Sequence, residues 1–422
     1  MPSENTYSSA LRMTVAQIGP RRHYAIPRIF QQRGLLELFY TDLCANALLI
    51  RAACGIVPQR LRTDRMKRLA GRVVAGIPNA KIRSFPWFGL QTAFRSQDQK
   101  PTHEMVTRWA QKNEAFCRKV VERGLGLCNA VYVFNGAGLE ILQEAKNRSL
   151  LTILDQTAPP AAFEERLVAK ERKRWPNWDL ETETEPDWTP LTEREQKEWE
   201  LADLILCGSD LVRTGMEEEK GPAHRCAVIP YGIDASRIQT IPRQRANRSL
   251  RVLYLGTLHL RKGIPYVLEA AKLVKNDSVV FRAVGAVRIT NYAADELRRA
   301  VEVVGPVPRS DIQQAFNWAD VLLLPTLSEG SANVCYEALA NGIPVITTSH
   351  AGSAIRDGLD GFIVPLRSPE AIAEKITLIA ESSDLLEQLS RNALEQARQF
   401  TWDQYGLRLL DTIETRRGNH HG

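Results

Sequence analysis

Short apolar runs alternate with helical patterns along this chain, and the alternation runs through once, breaks, and starts again. In the first half, strand-like runs fall at Met13–Ile18, Leu36–Tyr40, Ala130–Phe134, Leu151–Leu154 and Asp203–Cys207. Helical stretches lie between them, notably Met105–Arg123 and Leu139–Lys146. After IPYGID (229–234) comes a polar segment, ASRIQTIPRQRANRS, with the prolines and charges of a linker. Beyond it the strands Arg251–Leu255, Val279–Val284, Val321–Leu324 and Val345–Thr347 alternate with helices at Pro265–Val274 and Asp311–Trp318. This is the signature of doubly wound α/β sheets. Two Rossmann-like halves joined near residue 245 are the simplest account, and 422 residues suit two such domains better than one core. The division expected is 1–245, 246–400 and a tail at 401–422. A helix from about Trp402 to Thr415 either packs back across the first domain or simply ends the chain.

Composition narrows the class. The apolar and charged fractions, 44% and 25%, are those of ordinary globular chains. The seven cysteines form no C-x-x-C pair, so neither a disulfide ladder nor a zinc site is expected; Cys117, Cys207 and Cys335 sit in apolar runs as small core residues. The start, MPSENTYSSALRM, lacks a basic segment followed by an apolar one, and no apolar run has the length of a membrane span. A cytoplasmic location is the expectation. Between Arg51 and Lys100, nine basic residues, among them Arg60, Arg65, Arg68 and Arg72, stand against Asp64 and Asp98. That stretch suits either peripheral contact with an anionic membrane or a solvated helix face. Nucleic acid is not expected, since no binding motif accompanies it. The acidic run DLETETEPD (179–187) reads as a solvated loop.

The chemistry concentrates in VLLLPTLSEGSANVCYEALANG (321–342). An apolar strand runs into a polar loop carrying Glu329, which opens a helix carrying Glu337. The first-turn amides around Gly330, Ser331, Asn333 and Val334 lack partners within that helix and suit a phosphate. Helical side chains lean toward the N-terminus, so Glu337 points to the same end, where a carboxylate can accept two hydrogen bonds from a sugar diol. A second corner follows Gly256: the strand leads through Thr257 to Arg261-Lys262-Gly263, a fork and a point charge placed to grip a diphosphate. A third loop, GPVPRSD (305–311), holds its backbone stiff with Pro308 and suits a base edge. Ligands of open α/β sheets lie outside the carboxyl ends of the strands, where these loops fall.

The order GTLHLRKG, GPVP and PTLSEGSANVCYEALANGIPVI resembles the donor domain of the retaining glycosyltransferases of family four, and IPYGID and DGLDGFIVP (357–365) resemble that family at matching places. The resemblance covers about residues 200–415. It implies the GT-B architecture, two Rossmann-like domains facing each other across a cleft. It also implies that Glu329 faces the transferred sugar, Glu337 the ribose, and Arg261 and Lys262 the diphosphate. The donor would be a nucleotide diphosphate sugar and the acceptor a glycan or lipid-linked hydroxyl, with retained configuration, no metal and no other cofactor. In the family Arg commonly follows the glycine matched by Gly256; here Thr257 stands there.

The first half would then bind the acceptor. GPRRHYAIP (19–27) offers Arg21, Arg22 and His23 where the family often has paired glycines. Asn135 stands where the family frequently has a histidine, and Asp155 follows another strand into the cleft. Arginines of the first loop are candidates to supply the charge that Thr257 does not. Three other functions compete with transfer: a nucleotide-sugar epimerase of the same shape, a catalytically weak nucleotide-sugar-binding partner subunit, and a nicotinamide dehydrogenase. The last lacks a G-x-G-x-x-G after its first strand.

Overall fold

The computed structural model describes residues 11–46, 72–89, 103–180, 187–239, 248–274 and 278–420. The basic stretch at 51–71 and 90–100, the acidic residues 181–186 and the linker residues 240–247 lie outside them. Seven strands form the first sheet: β1 (Met13–Gln17), β2 (Leu36–Thr41), β3 (Ile82–Ser84), β4 (Ala130–Phe134), β5 (Leu151–Gln156), β6 (Leu204–Cys207) and β7 (Cys226–Val228). Six form the second: β8 (Leu250–Leu255), β9 (Val279–Val284), β10 (Glu302–Gly305), β11 (Val321–Leu324), β12 (Val345–Thr347) and β13 (Gly361–Ile363). Their orders are β3-β2-β1-β4-β5-β6-β7 and β10-β9-β8-β11-β12-β13. Every pairing is parallel.

Parallel sheets need cover on both faces, and the sequence provides it. All residues of β1, β4 and β11 are buried. Helices between the strands supply the two covering layers, giving two Rossmann-like domains. Each sheet reverses its direction of growth once, between β1 and β4 and between β8 and β11. Such reversal points open crevices at the carboxyl ends of the strands, and the candidate loops lie there.

Two segments cross between the domains. Helix Ala161–Arg174 and the residues after it leave the first domain and lie on the second. Trp175 meets Tyr266 edge-on at 5.8 Å, and Thr290 N–H donates to the Trp178 carbonyl at 3.0 Å. Beneath them the buried Glu171 carboxylate accepts from Arg367 Nε at 2.6 Å and from the Tyr266 hydroxyl at 2.5 Å. The terminal helix, Trp402–His420, makes the return journey. It starts where Ile233 and Thr401 bridge, sets Gly406 against Ile29, and brings Arg416 Nε to the Asp203 carbonyl at 2.9 Å. It therefore packs back across the first domain. No helix among the described residues is long and apolar enough to cross a membrane.

Candidate active site

The two corners of the second domain meet. The β8 corner turns through Arg261 and Lys262 into Gly263, whose φ of +72° favours glycine. A Cβ on Gly263 would stand 1.9 Å from the Pro325 carbonyl oxygen, so only glycine lets the two corners approach this closely. Lys262 Nζ contacts the Glu329 carboxylate, and Arg261 Nη1 donates to the Ser328 carbonyl at 2.7 Å. Arg261 lies 3.8 Å from Glu329 and 2.9 Å from Glu164, which comes from the crossing helix of the first domain. Burial, with the Arg261 charge acting the same way, pulls the Lys262 ammonium down to about 7, while Glu164 opposes.

On the other side of the crevice, Glu329 and Ala332 spend their N–H groups on the carbonyls of His350 and Ala351. The first-turn amides at Asn333 and Val334 have no partner within helix Asn333–Ala340. Ser331 is buried, and its hydroxyl is held by the Gly352 carbonyl at 2.9 Å and by Tyr336. Its side chain is thus spent within the domain. Glu337 stands 3.9 Å from both Arg237 and Arg309. Burial pushes its carboxyl up, against the pull of those two arginines. Pro308 precedes Arg309 in the loop after β10, so that loop delivers a cation beside Glu337 as well as a stiff backbone. Thr257, next to Gly256, is exposed; its carbonyl accepts from Tyr254 at 2.7 Å.

The first domain faces this crevice through the ends of β1, β4 and β5. Arg22 is paired within its own domain: its two terminal nitrogens close on Asp155 at 2.6 and 2.8 Å, both side chains being nearly inaccessible. The guanidinium lies 3.6 Å from the Tyr231 ring centroid, and Tyr132 donates to the same carboxylate. Asp155 is thereby committed as well. Asn135 is likewise consumed: its carbonyl accepts from Thr157 N–H and Oγ1, and its amide donates to Glu195. Apolar strands cannot reveal such buried exchanges, because each partner lies more than a hundred residues or a whole βα unit away.

His23 crosses to the second domain and contacts Arg309. Partial burial and the charges of Arg309, Arg237 and Arg28 push its imidazole down to about 4, so it meets Arg309 as a neutral acceptor. Arg21 donates to Thr157 Oγ1 at 3.2 Å. The Thr157 carbonyl in turn lies against Gly330, where a Cβ would stand 1.8 Å from it. Glu164, Thr157, Arg237 and Arg309 were not singled out in the sequence. Only Arg309, inside the stiff GPVPRSD loop, carried a local signal.

Residues 249–382 match the family described as "Glycosyl transferases group 1". That match lies within the second domain, and the two parallel sheets with their covering helices have the GT-B fold. Among curated relatives, the putative colanic acid biosynthesis glycosyltransferase WcaL of Escherichia coli is 27% identical over 220 residues, 48% of this chain and 53% of that protein. The amylovoran biosynthesis glycosyltransferase AmsK of Erwinia amylovora is 28% identical over 167 residues, 36% of this chain and 41% of that one. The chain thus spans about half the length of the curated relatives it matches. Among solved structures, Anabaena HepE in complex with UDP and glucose superposes with a TM-score of 0.61 at 15% identity, over 96% of this chain and 99% of that one. Sucrose-phosphate synthase from Thermosynechococcus elongatus gives 0.65 at 17% identity, over 97% and 100%. At such identities the likeness is one of fold. Within the residues that match, the Lys262–Glu329 contact is the point where both β-to-helix corners converge.

Proposed function

We propose that the chain transfers a sugar from a nucleotide diphosphate sugar to an acceptor hydroxyl, with retained configuration. The observation that carries this reading is the convergence of Arg261, Lys262 and Glu329 on one crevice, with Glu337 and unpaired helix amides beyond. The diphosphate would replace Glu329 and Glu164 as the partner of the two cations. Arg261, Lys262 and the amides at Asn333 and Val334 would then stabilise the negative charge that grows on the departing diphosphate. The C1–O bond to the phosphate breaks as the acceptor oxygen bonds to C1 on the same face, and the leaving diphosphate accepts the acceptor's proton. Glu329, freed from Lys262, orients sugar hydroxyls, and Glu337 accepts from the ribose diol. The cations perform the charge stabilisation, so the reaction is proposed to need no metal. The UDP bound in HepE and the polysaccharide work named for WcaL and AmsK favour a uridine donor and a glycan acceptor.

A thermal-shift screen across UDP, GDP, ADP and their sugars tests the donor. One base family should stabilise the protein, and Glu337→Ala should abolish that stabilisation. Absence of stabilisation by any nucleoside diphosphate would refute the proposal. Tight binding with no transfer to any acceptor would favour a nucleotide-sugar-binding partner instead.

A further inference from the structure

The loop after β1 carries adjacent arginines with different fates. Arg22 takes the whole of Asp155 in a buried, two-pronged pair, backed by Tyr231 and Tyr405. Arg21 gets no acid. Its guanidinium lies over the Phe134 ring at 5.4 Å, and its hydrogen bond goes to the neutral hydroxyl of Thr157. Among the described residues, no carboxylate lies within ion-pair distance of Arg21. Glu195, the next acid along this network, already accepts from Asn135, Gln156 and the Ala161 N–H. Two guanidiniums thus stand near one carboxylate at the floor of the cleft, and Arg22 takes it, leaving Arg21 without an ion-pair partner among the described residues.

The backbone is strained to hold that arrangement. Arg22, His23 and Tyr24 have φ of +48°, +52° and +60°, three successive left-handed residues, none of them glycine. Each is unfavourable for a side-chain-bearing residue and persists only where surrounding contacts enforce it. Here the Asp155 pair holds Arg22 and Arg309 holds His23. The result is that Arg21 is presented at Thr157, whose carbonyl lies against Gly330. Gly330 directly follows Glu329, the partner of Lys262. Arg21 therefore approaches the proposed donor crevice from the wall opposite Arg261 and Lys262.

We propose that Arg21 binds an anionic oxygen of the donor's diphosphate, completing from the first domain a grip that the second domain begins. This rests on the donor reading above and deepens it. A desolvated guanidinium without a counter-ion is costly, and a phosphate oxygen arriving in the crevice supplies one. Burial, opposed by Asp155 and reinforced by Arg22, lowers the Arg21 pKa, in keeping with a cation awaiting an anion.

The test compares UDP with UMP by isothermal titration on wild type, Arg21→Ala, Arg21→Gln and Arg21→Lys. UDP affinity should fall about tenfold to thirtyfold in Arg21→Ala and Arg21→Gln, the scale of a charged hydrogen bond. UMP affinity should change less than twofold, and Arg21→Lys should recover most of the UDP binding. Melting temperatures without ligand report whether each variant is folded. If Arg21→Ala does not fold, the same UDP-over-UMP loss in Arg21→Gln decides the matter. Equal losses for UDP and UMP, or none for either, would overturn the proposal, as would unfolding of both neutral variants, which would make Arg21 a structural residue. If wild type binds no nucleoside diphosphate, the donor reading fails first, and that outcome is distinct from a wild type that binds UDP with Arg21 indifferent.

Discussion

Gly330→Ala tests whether the close approach of the two domains sets the rate of the reaction. Gly330 belongs to the donor corner, yet its Cα faces the Thr157 carbonyl of the other domain. A Cβ there would stand 1.8 Å from that oxygen, whereas real Cβ contacts essentially never fall below 3.0 Å. The two backbones must part by at least the difference, about 1.2 Å. Neither side is a flexible side-chain tip, so the displacement opens the cleft. Arg261, Lys262 and Glu337 all lie in the second domain and move together, so nucleoside diphosphate binding should lose at most the proposed Arg21 contact from the first domain, about tenfold to thirtyfold. Chemistry across the cleft is another matter, because a misplacement of about 1 Å costs on the order of a hundredfold in rate. That corresponds to about 2.7 kcal/mol of transition-state stabilisation. The assay is release of nucleoside diphosphate from the donor sugar, read beside UDP-induced thermal shift and the radius of gyration in small-angle scattering. A Gly330→Ala protein with wild-type turnover and an unchanged radius of gyration would show that the Thr157–Gly330 approach does not set the working geometry.

Glu337→Ala should erase the preference for UDP over its 2′-deoxy analogue, worth about 1.5–3 kcal/mol for hydrogen bonds to a charged group; equal discrimination by both proteins in calorimetry would contradict ribose binding there. Because burial holds Lys262 near 7, its ammonium is present below that pH and lost above it, while a bound diphosphate restores it. UDP affinity should therefore fall as pH rises from 7 to 9, by up to about tenfold per unit, with proton uptake on binding. Lys262→Arg should flatten that slope, and a flat wild-type profile would exclude the titration. Removing the buried Glu171 carboxylate strands Arg367 and the Tyr266 hydroxyl, so Glu171→Ala should lose about 3–5 kcal/mol in urea denaturation, whereas a loss under about 1 kcal/mol would mean the crossing helix contributes little. EDTA should leave transfer unchanged if Arg261 and Lys262 carry the leaving-group charge, and loss restored by added Mg²⁺ would reject a metal-free reaction.

The strands legible in the sequence are the interior ones. Runs such as Ala130–Phe134 and Val321–Leu324 are apolar on both faces because both faces are covered. The elements that escaped the apolar pattern are the sheet edges. β3, β7, β10 and β13 all lie at the ends of the strand orders, and three of them are three residues long. An edge strand is paired on one side and partly exposed, so it needs neither the length nor the apolar content that makes a strand visible. The donor corners were legible for a related reason. Arg261, Lys262, Gly263, Glu329 and Glu337 belong to contiguous β-to-helix turns, where the backbone itself dictates direction and the charge is read in place.

What stayed hidden is the traffic between domains, and it changes what each residue is for. Arg22 and Asp155 look alike to Arg21 on paper, as polar residues at strand ends, but a two-pronged pair removes the first two and leaves the third charged and available. The pairing is a competition: one carboxylate, two guanidiniums, settled by a left-handed turn that no propensity favours. Arg261 shows the converse. Its local sequence points to a diphosphate, yet it is balanced by Glu164 from a helix that reaches it from the other domain. On the proposed reading, donor binding would displace acids as well as fill a crevice. Because one of those acids is carried by the first domain, the proposed diphosphate binding would be coupled to how the two domains sit. On the donor reading proposed above, a cation that Glu164 reaches across the cleft and that the diphosphate would claim links closure to donor binding.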